Sequence, residues 1–190
     1  MDEKEHSIRF INSSYDTLFR IPDGGTVEVQ FPDRKFSAKC EYIDDYHTLV
    51  GDSVFHICEF AEMVEHQHGS VRPEPEIEMN QAAWQLGHRE YLALQTTDSG
   101  YDYTFYSQQF KLMDGGRLDV LELSMNQARD QIMEMHGYGR RNRAAVPYDH
   151  IMEQAELANS SVLKQLDDLK GHSAQRQKTG KEVHHAGKER

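Results

Sequence analysis

The stretch Tyr42–Gly69, YIDDYHTLVGDSVFHICEFAEMVEHQHG, changes its apolar period from two to about three and a half partway along its length. The alternation predicts two short strands, Tyr46–Val50 and Val54–Ile57, separated by a Gly51-Asp52-Ser53 turn. From Cys58 the pattern becomes helical. Phe60, Ala61, Val64 and Gln67 share one face, Glu59, Glu62, Glu65 and His66 mostly face solvent, and Gly69 is the expected stop. A helix fed directly by a strand meander buries its apolar side against one sheet face. That single reading sets the fold class as α+β. The stretch carries no catalytic signature.

Working back toward the N-terminus, Phe36–Ile43 and Thr26–Phe31 alternate as half-buried strands should, joined by Pro32-Asp33-Arg34-Lys35. Asp44-Asp45 turns the chain into the next strand, which completes a four-strand meander. Pro22-Asp23-Gly24-Gly25 is a strong turn signal, because glycine supplies the positive φ that tight turns demand. Ile8–Ile11 is a further short strand. Residues 1–70 therefore read as a strand-meander-plus-helix module. Residues 71–80, with Pro73 and Pro75 among alternating glutamates, read as a linker and a domain boundary.

Residues 81–137 repeat the theme as a second strand-plus-helix module. Ala82–Leu86, Tyr91–Thr97 and Tyr101–Ser107 are expected strands, and Phe110–Met113 a short fourth one before an Asp114-Gly115-Gly116 turn. Ser124 with Gln127 three residues on is a capping box. The helix it starts presents Met125, Ala128, Ile132 and Met135 on one face and closes at Gly137. Residues 138–170 read as a helical extension that opens with an exposed basic loop, Arg140, Arg141 and Arg143, and has Pro147 in its first turn. Residues 171–190 are almost devoid of apolar side chains and read as a disordered basic tail. Tyr15–Val29 and Tyr106–Val120 echo one another around an Asp-Gly-Gly word, which we attribute to recurrent hairpin chemistry.

The charge is uneven. Residues 1–136 hold 11 Lys and Arg against 25 Asp and Glu, whereas residues 137–190 hold 10 against 7. An acidic body repels phosphate and favours basic partners. Mean hydropathy is −0.78, which indicates modest cores. No apolar run approaches the roughly 20 residues that span a bilayer, and the charged start MDEKEHS lacks a signal-peptide core, so a cytoplasmic protein is expected. Cys40 and Cys58 read as reduced thiols without zinc-ligand spacing.

Catalytic readings find little support. P-loop, dinucleotide, nucleophile-elbow and HExxH motifs are absent. Cys58 has His56 two residues away but lacks a visible orienting acid or oxyanion cradle. His66 and His68 point about 200° apart on a helix and do not share a metal. Tyr101, Tyr103 and Phe105 line one side of a strand as bases-on-aromatics binding would want, yet Asp98 and Asp102 stand where such a binder needs cations. Core packing with hydroxyls at the rim is the better account. We therefore expect neither enzyme activity, nor a cofactor, nor a metal.

Phe19–Glu65 (FRIPDGGTVEVQFPD through HICEFAEMVE) and Ala82–Gly137 (including SGYDYTFY) resemble large polyvalent protein-associated domains. The resemblance implies a protein of bacterial conjugative elements or phages and brings no catalytic residues with it. The expected function is a non-catalytic interaction protein, an anti-defence inhibitor that shows an acidic surface to a basic nucleic-acid-binding protein of the host or the element. Candidate contacts are Asp44, Asp45, Glu59 and Glu62 on the acidic side. Arg140, Arg141 and Arg143 carry the alternative, a nucleic-acid-associated accessory that uses its basic C-terminal part. No membrane partner is expected.

Overall fold

The computed structural model describes residues 6–87, 90–120 and 122–161. It is an α+β fold in which antiparallel sheet dominates. The expected meander is present as β3 (Thr26–Gln30), β4 (Lys35–Tyr42), β5 (His47–Val50) and β6 (Ser53–His56), which leads into α1 (Glu59–His66). Ahead of it, β1 (Ser7–Ile11) pairs with β2 (Thr17–Pro22), a strand the apolar pattern did not announce. After it come β7 (Ser70–Pro73), β8 (Gln81–Leu86), β9 (Glu90–Thr97), β10 (Gly100–Tyr106), β11 (Leu112–Leu118), α2 (Met125–Met135), β12 (Arg143–Val146) and a helix, α3, over 148–161.

Ten of the strands form one sheet along the path β11-β10-β9-β8-β12-β4-β3-β7, with β5 and β6 branching from β4. β12 lies in the middle. Arg143 is the cross-strand partner of Leu86 on one side and of Ser37 on the other. Beyond Ser37 the same edge of β4 passes to β5, through Cys40–Val50, Glu41–Leu49 and Tyr42–Thr48. The strands expected in two separate modules thus share a ladder.

Pleat alternation sorts the core into faces. Trp84, Leu86, Leu92, Leu94, Tyr101 and Phe105 pack under α2 with Ala128, Ile132 and Met133. Their neighbours Ala83, Ala93 and Tyr106 point the other way and meet Ile151 and Ala155 of α3. On that same side, Val27, Val29, Ala38 and Cys40 are covered by Ile8 and Phe10 of the hairpin and by Phe60 and Val64 of α1.

Several expectations change. The segment read as a linker begins as strand β7, paired to β3 from Val27–Pro73 to Gln30–Ser70. Its proline is tolerated because β7 is an edge strand whose other side needs no donor. Asp114-Gly115-Gly116 is not a turn but the middle of β11. Gly116 faces Tyr103, and a Cβ there would come within 2.8 Å of the Tyr103 hydroxyl, so glycine lets the ring lie across the strand. The left-handed residue that ends α1 is His68, with φ 58, not Gly69. Met135 is 60% exposed, and its expected place inside is taken by Arg129 and Met133. The capping box holds: the Gln127 amide donates to Ser124 Oγ at 3.3 Å, and the Ser124 amide donates to Gln127 Oε1 at 2.9 Å. The helical periodicity expected beyond residue 161 and the basic tail lie outside the described residues.

Where α2 crosses the central sheet, a charged network is buried. Arg129, 0% exposed, donates two bonds of 2.7 Å to the Glu74 carboxylate and one of 2.8 Å to Asp130, and its guanidinium lies 5.2 Å from the centre of the Trp84 ring. Arg143, 1% exposed, donates to Asp130 at 2.8 Å and to Thr26 Oγ1 at 3.1 Å. Two cations and two carboxylates leave the group neutral, which is how such burial becomes tolerable. Burial works to lower both arginines. It prevails at Arg143, whereas the Glu74 and Asp130 carboxylates hold Arg129 above its ordinary value. Asp130 is pushed up by burial but kept below its ordinary value by the two guanidinium groups.

Candidate interaction surface

The acidic candidates fall into two groups joined by histidines. Asp44 caps the β4–β5 turn: its Oδ1 accepts from the amides of Tyr46 and His47, both at 2.8 Å, and lies 2.9 Å from His47 Nδ1. The Tyr46 amide first, and His47 after it, hold the carboxyl below its ordinary value. Asp45 accepts from the Tyr42 hydroxyl at 2.8 Å, and that bond raises the phenol. Glu59 and Glu62 stand on the first turn of α1. His47 and His56 are cross-strand partners with their rings edge-on, 5.6 Å apart. The His56 amide donates to Glu59 Oε2 at 3.3 Å. Turn and helix start therefore form one stretch of surface, as β5 and β6 require.

His56 Nδ1 lies 2.9 Å from Cys58 Sγ, so the pair noted in the sequence is in contact. Cys40, by contrast, is fully buried, and burial pushes its thiol up to about 12. Among the described residues, no three or more His, Cys, Asp or Glu side chains are grouped to hold a metal ion.

Next to α1 the surface opens into a groove of about 510 Å³ that no sequence pattern announced. Phe36, Ala38, Val50, Phe55, Phe60 and Met63 give it an apolar lining, and Asp52, Ser53, Asn142 and Arg141 lie at its polar margin. It lies by the fork in the sheet, where β5 takes over from β12 beside β4. Met63 also lines a second depression, shared with Glu59, Glu62, His66 and Gln67. Glu59 and Glu62 thus lie beside the apolar groove, whereas Asp44 and Asp45 line a separate hollow with Arg9 and Arg20. Its signal in the sequence was weak: Phe36 and Phe55 alternate like ordinary core residues, and Met63, 39% exposed, falls among the polar positions of α1.

The arginine candidates do not form a free basic loop. Arg140 donates to Glu41 at 3.1 Å. Arg141 pairs with Glu90 and lies 4.5 Å from the centre of the Tyr138 ring. Arg143 is buried in the network under α2, because β12 turns its side chain to that face beside Leu86. Arg129, which sequence reasoning missed, occupies the apolar stripe of α2 four residues after Met125 and three before Ile132. A charge on such a stripe was the available signal for a buried ion pair. Tyr101, Tyr103 and Phe105 pack under α2 as expected, with the Tyr101 hydroxyl donating to the Leu123 carbonyl at 2.6 Å and the Tyr103 hydroxyl 3.0 Å from His136 Nε2.

The fold and this surface define an α+β sheet protein with an open, largely apolar groove beside α1. Among the described residues no helix is long and apolar enough to cross a membrane. Residues 77–158 match the family model described as large polyvalent protein-associated domain 16, which shows the resemblance for that segment and links the protein to phages or other mobile elements. The match runs from just before β8 through β12 into α3, and the resemblance read at Phe19–Glu65 lies outside it. Neither a curated protein nor a solved structure matches the chain.

Proposed function

We propose that this is a non-catalytic interaction protein of a mobile element that presents the surface around Asp44, Asp45, Glu59 and Glu62 to a basic, nucleic-acid-binding protein of the host or the element, and thereby inhibits a defence complex. One observation carries the reading. Arg143 of the candidate arginine loop is buried and Arg140 and Arg141 are paired with Glu41 and Glu90, while residues 1–136 hold 11 Lys and Arg against 25 Asp and Glu. Phosphate contact needs available guanidinium or ammonium groups, whereas steering of a basic protein needs the acidic field this body carries.

The test is an affinity capture from host lysate under nuclease treatment, run beside a variant with Asp44, Asp45, Glu59 and Glu62 changed to their amides. A basic nucleic-acid-processing protein retained by the wild type and lost by the variant is the expected result. Capture that disappears with nuclease, or that the variant retains in full, refutes the proposal. The first of these outcomes favours a nucleic-acid-associated accessory.

A further inference from the structure

The groove beside α1 combines two features that together restrict what can fill it. Its lining is aromatic and aliphatic, from Phe36, Phe55, Phe60 and Met63, and its size of about 510 Å³ has room for a large side chain of a partner. Asp52 and Arg141 are the charges on its lining, and the adjoining depression adds two carboxylates. Asp52 stands at one margin, and Glu59 and Glu62 line the depression that continues past Met63. Among the described residues, the cation that lines the groove, Arg141, is paired with Glu90. An apolar ligand alone would leave those carboxylates unused, and a purely basic one would leave the apolar lining wet.

We infer that the groove receives a large apolar side chain of a partner protein, flanked in the partner's sequence by lysine or arginine. The apolar side chain enters between Phe55 and Met63, and the flanking cations meet Glu59, Glu62 and Asp52. This is the usual division of labour at an interface, with a desolvated anchor at the centre and charges at the rim. The exposed methionine suits the role, since its flexible thioether moulds to different anchors. The inference rests on the proposed function, because it names the kind of segment through which a basic partner is held.

The experiment uses the full chain and fluorescein-labelled hexapeptides in fluorescence polarisation. The first peptide is two lysines, leucine, tryptophan and two lysines. The second has serine for both apolar residues, and the third has glutamate for the lysines. The expected result is that the first peptide binds at least about tenfold more tightly than the second, as burial of an aromatic side chain implies. Its binding also falls with salt, as rim charges dictate. Met63→Lys, a change at an exposed position, abolishes the preference for the first peptide, and Glu59→Gln with Glu62→Gln weakens both lysine peptides. Equal binding of the first two peptides overturns the anchor groove but leaves the acidic-surface reading standing. Binding of the glutamate peptide as tight as that of the lysine peptides overturns the acidic-surface reading as well.

Discussion

Replacing Arg129 with methionine keeps much of the side-chain volume beneath α2 and removes the charge. Glu74 then loses both of its 2.7 Å bonds while its side chain is only 9% exposed. Asp130 fares better, since it keeps Arg143 at 2.8 Å and its side chain is 25% exposed. Removing one partner of a buried pair costs about 3–5 kcal/mol, mostly through the charge left behind. Urea unfolding is the assay. With a slope of about 2 kcal/mol per molar for a chain of this size, the midpoint should fall by about 2 M. The informative variant is the double one, Arg129→Met with Glu74→Met. Removing both charges is often close to neutral, so the double variant should be more stable than Arg129→Met alone. A single variant within about 1 kcal/mol of wild type, or a double variant whose loss equals the sum of the two singles, would refute the reasoning, because independent sites add.

Three other outcomes follow from the same geometry. Glu28, buried against Lys35 and Arg72, feels burial pushing its carboxyl up, but the two cations bring it below its unfolded value of 4.5. Stability from such a group is present above the unfolded pKa and is lost as pH falls through the folded one, so the melting-temperature gap between wild type and Glu28→Gln should narrow as pH falls below 4.5. Ellman's reagent should titrate one thiol, Cys58, in the native protein and both thiols in concentrated guanidinium chloride, since Cys40 is buried with its thiol pushed up to about 12. Gly69→Ala would bring a Cβ to 2.7 Å from the Gln30 carbonyl oxygen and 2.9 Å from Val64. That overpacking should cost about 1–3 kcal/mol, measured by thermal unfolding.

The elements with strong periodicity could be read directly: β3 to β6, α1, β8 to β10 and the capped α2. In each, the larger apolar side chains recur at the period of its geometry. What escaped was set by contacts distant in sequence. β12 is four residues, Arg143–Val146, beginning with a residue that reads as solvent-facing charge. Only the presence of Asp130 and Thr26 on the same face makes burying that arginine tolerable. β11 was hidden by Gly115-Gly116, whose identical word at Gly24-Gly25 does make a turn, with Gly24 at φ 75. Local chemistry is the same at both places, and the Tyr103 ring decides the second. Of the candidate site, the acids were found as charges. The groove beside α1 was not, because a hollow is formed by elements that meet only in three dimensions.

The central position of β12 also governs the order in which the molecule can be completed. A chain emerging from the ribosome makes β4 and β8 long before Arg143–Val146 exists. Until then the inner edges of both strands present unpaired amides and carbonyls, the kind of edge that recruits stray strands. At roughly 5–20 residues per second, the wait from the end of β8 to β12 is several seconds. The last strand made in the sheet is thus the one that seals it, and a ribosome paused before residue 143 leaves two sticky edges where the finished protein has none.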